Sequence, residues 1–67
     1  MIVKAFTTAE RLIIVEENGN GSYTAYETKT HSKGEGVKIL NSRSLDWLID
    51  TLHMRYLPEK LIEVKGA

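Results

Sequence analysis

The sequence predicts an α+β fold, a single small domain over residues 1–67. Its mostly antiparallel sheet follows β-β-β-β-α-β order and packs on one helix at about 44–57. Three observations carry this reading. Only one stretch, SLDWLIDTLHMRYL from Ser44 to Leu57, has helical periodicity, with Leu45, Leu48, Ile49, Leu52 and Tyr56 falling along one face. Ahead of it, Asn18-Gly19-Asn20-Gly21 separates two runs rich in β-branched and aromatic residues, the strongest short-range signal for a hairpin. The remaining connections are short, which suits a meander of neighbouring strands.

In chain order, Ile2 to Phe6 reads as a first strand and Thr7 to Ala9 as a connection. Arg11 to Glu17, RLIIVEE, reads as a second strand whose unbroken apolar run asks for cover on both faces. A helix opened by Thr7 and Glu10 at capping-box spacing is the rival there, but two Ile and a Val in succession lower helix propensity. The Asn-Gly turn follows, both residue types tolerating the positive φ of primed turns. Ser22 to Thr30 forms a third strand, Ser32 to Gly36 a looser turn, and Val37 to Leu40 a fourth strand. Asn41-Ser42 then leads into the helix. Ser42 or Ser44 can cap the helix, Asp46 suits its positive end, and Pro58 stops it. Lys60 to Lys65 holds Leu, Ile and Val within four residues and reads as a fifth, edge strand, its charges discouraging further pairing. The core expected from this pattern is Val15, Ile39, Leu45, Leu48, Ile49, Leu52 and Ile62.

A chain of 67 residues buries only about 60% of the surface it exposes when unfolded, so it needs reinforcement. It has no cysteine, which excludes disulfides and thiolate metal sites and leaves self-association as the simplest reinforcement. Nine basic and nine acidic side chains cancel, which argues against a nonspecific polyanion binder. No apolar run approaches the length of a membrane span and no signal-peptide pattern opens the chain, so a soluble, cytoplasmic protein is expected.

Signatures of catalysis are missing. The glycines sit in hairpin turns and lack phosphate-loop spacing. His31 lies in a polar loop, and His53 at the edge of the helix's apolar stripe reads as a partly buried helix residue. Glu16 and Glu17 point to opposite faces of a strand. Asp46 and Asp50 share a helical face, but two carboxylates alone make a poor cation site. No catalytic residue, metal or cofactor is therefore assigned, and a non-enzymatic binding or regulatory protein is expected.

Two surfaces could bind. Lys29, Lys33, Lys38 and Arg43 stand against Glu35 alone, so residues 29–43 carry a charge of +3, while 1–28 carry −2 and 44–67 carry −1. Tyr23 and Tyr26 adjoin this basic stretch. Basic residues interleaved with aromatics on a sheet suit unpaired nucleic acid, the aromatic stacking on bases and the cations meeting phosphates. Three positions separate the two tyrosines, so a regular strand puts them on opposite faces, one as platform and the other in the core. The alternative is a protein-binding module. Trp47 and Met54, seven residues apart with Asp50 and Leu57 beside them, lie away from the core stripe and could form a partner or homodimer interface. Phage and mobile-element accessory factors or inhibitors are often neutral proteins of this size.

The run of antiparallel strands, then Gly36-Val37-Lys38-Ile39-Leu40, then a helix carrying Leu45 and Leu48, resembles the single-stranded DNA-binding domain of the positive-cofactor transcription proteins. That resemblance covers about thirty residues. It implies a dimer that binds unpaired DNA on its sheets, and the fifth strand after Pro58 departs from it.

Overall fold

A computed structural model describes residues 1–29 and 36–65. The elements are β1 (Ile2–Thr7), β2 (Arg11–Glu17), β3 (Tyr23–Lys29), β4 (Val37–Ser42), α1 (Leu45–Tyr56) and β5 (Ile62–Glu63). They form one antiparallel five-stranded sheet in the order β4-β3-β2-β1-β5, with the helix on one side, an α+β domain. Arg11–Glu17 is a strand and not a helix, as its β-branched run requires.

Cross-strand partners share a face of the sheet, so the register sorts every side chain. On the helix side lie Phe6, Ile13 and Glu27 in one row and Val15, Ala25 and Leu40 in the next. Leu48, Leu52 and Tyr56 come down on these rows, and Ile13, Val15, Ala25, Leu48 and Leu52 lose all contact with solvent. Leu45, Ile49 and Ile39 are partly buried around this centre. Ala25 matters by its size, because a small side chain on β3 lets the helix approach the sheet where α1 contacts it.

The Ser44 Oγ accepts from the Trp47 N–H at 3.2 Å and caps α1, while the Ser44 N–H donates to the Ser42 Oγ at 3.0 Å. Ser42 thus ends β4 and steadies the cap at once. The turn between β2 and β3 differs from a two-residue primed hairpin. Its five residues, 18–22, are closed by the Asn18 N–H on the Ser22 carbonyl at 3.0 Å. Only the glycines take positive φ, +82° at Gly19 and +84° at Gly21, and both asparagines stay at negative φ.

Two further expectations are corrected. The fifth strand spans two residues rather than 60–65, and Ile62 is 64% exposed instead of joining the core. Ile62 pairs with Thr7, which places it on the sheet face away from the helix, and the preceding Leu61 turns inward and is 8% exposed. His53 is exposed rather than partly buried, its ring meeting the Phe6 ring edge-on with centroids 5.6 Å apart. Among the described residues no helix is long and apolar enough to cross a membrane.

The packing centre sets the first expectation. Ile13→Ala or Leu52→Ala should cost about 2–5 kcal/mol, a large share of the stability of so small a domain. Ile62→Ala should change stability by no more than about 0.5 kcal/mol. Urea denaturation followed by circular dichroism measures both, and a large loss at Ile62 would contradict the placement of β5.

Candidate nucleic-acid interface

The helix covers one side of the sheet only. On the other side three rows run across the strands. The middle row is Ala5, Ile14, Tyr26 and Lys38, with Tyr26 directly opposite Lys38. On one side of it lie Ile62, Thr7, Leu12 and Thr28, and on the other Ile2, Glu16, Thr24 and Asn41. The face is therefore apolar through its centre, with hydroxyl and amide groups and the Glu16 carboxylate along its margins. Ile2 is 47% exposed, Tyr26, Ile14 and Leu12 are half-buried, Ala5 and Thr24 are buried, and Lys38 is exposed at the end of the middle row.

Two local devices hold Tyr26 in place. Gly36 lies so close that a Cβ there would stand 3.0 Å from the Tyr26 Cβ and 3.3 Å from the Glu27 carbonyl oxygen, so glycine lets the chain pass beside the ring. Two residues away on the same face, the buried Thr24 Oγ1 accepts from the Asn18 Nδ2 and the Asn41 Nδ2, each at 2.8 Å. This link ties the β2–β3 turn, β3 and β4 together under the margin of the face.

The structure gathers only part of the residue set expected from sequence. Tyr26 and Lys38 share the open face. Tyr23 packs against the core on the helix side, as the three-residue spacing requires. Arg43 is exposed between β4 and α1, beyond the end of the sheet. Lys29 closes β3, its backbone paired with Arg11. Lys33 lies outside the described residues. Of the four basic residues, Lys38 and Arg43 are the ones with described side chains, one on the sheet face away from the helix and one beyond the sheet's end.

The second expected surface is present as a set of accessible side chains. Trp47 is 52% exposed, Met54 72% and Leu57 67%, with Asp50 exposed among them. They occupy the side of α1 opposite Leu48 and Leu52, so the helix presents apolar groups both to the sheet and to solvent.

A third group was not foreseen. Where β2 and β3 meet the end of α1, the Tyr56 hydroxyl donates to the Glu27 Oε1, and the Arg11 Nη1 donates to the same oxygen at 3.2 Å. Arg11, Glu27, Arg55, Tyr56, Leu57 and Glu59 line an open cleft of about 470 Å³ there. The hydrogen bond from Tyr56, aided by Arg11 and opposed by burial, holds the Glu27 carboxyl below its usual 4.5. Burial, together with the neighbouring Glu27, pushes the Tyr56 phenol up to about 12. Two guanidiniums and two carboxylates balance in this cleft, so it offers no net field to an anion, and its chemistry reads as a clasp between helix and sheet. The signal in the sequence was faint. The hairpin centred on the Asn-Gly turn brings residues near 11 and 27 together, but Tyr56 reads there simply as the last residue of an apolar stripe.

Comparison with known proteins found no matching family model, no matching curated protein and no matching solved structure. The likeness to the positive-cofactor DNA-binding domain accordingly stands on element order alone, and the functional argument stands on the geometry above.

The clasp has a defined pH signature. A raised phenol pKa contributes stability that is complete below the ordinary tyrosine value of about 10 and is lost as pH rises through about 12. A depressed carboxyl pKa contributes stability that is complete above the ordinary glutamate value and is lost as pH falls through the lower, folded one. Tyr56→Phe removes the shared hydrogen bond and should therefore be less stable than wild type by a constant amount between about pH 6 and 9. That gap should narrow below about pH 4.5 and above about pH 10. Urea midpoints across pH for the two proteins measure it, and a gap that stays constant from about pH 3 to about pH 12 would show that it does not come from this bond.

Proposed function

We propose that the chain is a non-enzymatic regulator, acting in the cytoplasm, that binds unpaired nucleic acid on the helix-free face of its sheet. The observation that carries this reading is the row Ala5, Ile14, Tyr26 and Lys38 on the side of the sheet away from the helix, where the partly accessible Ile14 and Tyr26 run up to an exposed cation directly beside the ring. An unstacked base laid over Tyr26 and Ile14 gains about 1–3 kcal/mol from stacking, and Lys38 meets the phosphate beside it. Asn41 and Thr28 at the margins offer hydrogen bonds to base edges or sugars, and Arg43 lies where a longer strand leaves the sheet. A duplex hides its base faces and gains little from such a face, so single strands are preferred.

With Lys38 and Arg43 the cations nearest the face among the described side chains, two phosphate contacts give a slope of about 1 to 1.5 for the fall of log affinity with log salt, about 0.7 per phosphate contacted. Fluorescence anisotropy with labelled single strands at low salt measures both affinity and slope. Tyr26→Ala should weaken binding by about tenfold or more through lost stacking, and Lys38→Ala should remove about 0.7 from the slope. Absence of binding at tens of micromolar protein would eliminate the proposal.

A second reading is favoured by the exposed Trp47, Met54 and Leu57 around Asp50 on α1. We propose this face as the contact with another protein chain, a second copy being the simplest candidate, because paired domains would remove apolar area worth about 25 cal/mol per Å² from water. The function would then be that of an interaction module or inhibitor of the kind that phages and mobile elements encode. The helix face and the open sheet face lie on opposite sides of the domain, so the two readings are compatible. Sedimentation equilibrium separates them: a dimer in wild type that dissociates in Trp47→Ala supports the helix contact. A wild-type monomer at high micromolar concentration removes the homodimer.

A further inference from the structure

The turn between β2 and β3 contains two Asn-Gly pairs, Asn18-Gly19 and Asn20-Gly21, and the structure distinguishes them chemically. In such pairs the glycine nitrogen can attack the asparagine side-chain carbon, because glycine leaves the approach unhindered. A Cβ added at Gly19 or Gly21 would meet nothing within 4 Å, so the backbone is equally open at both. The side-chain hydrogen bonds are not alike. The Asn20 Oδ1 accepts from the Ser22 N–H at 3.1 Å and from the Ser22 hydroxyl at 2.6 Å. Asn18 instead donates through Nδ2, to the Ser22 Oγ at 2.9 Å and to the buried Thr24 Oγ1 at 2.8 Å.

We propose that Asn20 is a site of spontaneous intramolecular modification and that Asn18, two residues away, is protected from it. As the Gly21 nitrogen bonds to the Asn20 Cγ, the amide oxygen gathers negative charge. Two donors already aim at that oxygen, the arrangement that stabilises oxyanions in acyl transfer. Collapse breaks the Cγ–Nδ2 bond, and ammonia leaves with the proton that the Gly21 nitrogen gives up. Water then opens the resulting succinimide at either carbonyl, giving aspartate or isoaspartate. One water is consumed, one ammonia is released, and no oxidant or reductant takes part. At Asn18 the leaving nitrogen is held as a donor to two hydroxyls, one of them on a fully packed threonine, so rotation of the amide toward Gly19 breaks two bonds at once. The Ser22 hydroxyl links the two amides, accepting from Asn18 and donating to Asn20, and so acts as protector of one and activator of the other.

The product matters for the turn. Isoaspartate adds a methylene to the main chain and a negative charge to a neutral protein, within the loop that sets the β2–β3 register.

The test is incubation of the folded protein at mildly alkaline pH and 37 °C, with peptide mapping for isoaspartate at each position and a parallel sample in urea. In the folded wild type, residue 20 should convert about tenfold or more faster than residue 18, and the two rates should converge in urea. Ser22→Ala, checked for folding by circular dichroism, should slow residue 20 and speed residue 18, while Ser22→Thr, which keeps the hydroxyl, should retain the wild-type order. Equal rates in the folded wild type, or the same ratio with and without urea, would overturn the proposal whatever the variants do.

Discussion

One helix is all the described chain has with which to cover five strands, and the seat of Leu48 and Leu52 on Ile13, Val15 and Ala25 is the contact on which the domain depends. Hydrophobic burial is the main favourable contribution in a chain this small, and almost all of it is concentrated where that helix touches the sheet. Ala25 allows the approach and the Ser44 cap fixes where the helix begins. The Tyr56–Glu27 bond fixes where it ends. A helix held at both ends and along its middle stays on one side of the sheet. Among the described residues no second helix lies against the reverse face.

That asymmetry organises both candidate surfaces. The sheet's open side keeps an apolar middle row because β2 and β3, the central strands, carry Ile14 and Tyr26 between their core-facing residues. The helix's outer side keeps Trp47 and Met54 because the inner stripe already satisfies the sheet. Trp47 and Met54 stand outside the core, whereas on the sheet's reverse face Ala5 and Thr24 are buried and only part of the row is open to change. The turn of residues 18–22 stands at one end of the open face and is joined to its margin through Thr24. A covalent change there would alter the frame of the face without touching Tyr26.

Much of this was legible from the residues. The i, i+3, i+4, i+7 stripe fixed the buried side of the helix, and the paired Asn-Gly steps marked the central hairpin, because both signals are local. The three-residue spacing of Tyr23 and Tyr26 placed them on opposite faces of the sheet, a strict consequence of strand alternation. What escaped depended on register. Choosing Leu61 over Ile62 for the core required knowing which residue of β5 pairs with Thr7, and a one-residue slip exchanges the faces. Lys38 and Arg43 read as one patch because charge in a sequence adds along the chain, whereas the fold puts Lys38 on a sheet face and Arg43 beyond the sheet's end. The Arg11–Glu27–Tyr56 clasp joins three separate elements, and no single segment announces it.

The irregularities in the sheet's outer strands bear on how such a protein stays dispersed. β1 and β2 slip register between Ile2 and Lys4, and β3 and β4 slip between Ala25 and Tyr26. At one margin Lys4 pairs with Glu63 at 3.2 Å, and at the other Lys38 is accessible on β4. Bulges twist a border strand away from flat pairing, and charges on it resist desolvation, so strands of neighbouring molecules find no straight template to extend. An apolar sheet face beside a flat border strand is an invitation to fibril growth. Blunted borders oppose the growth direction while leaving the face itself intact.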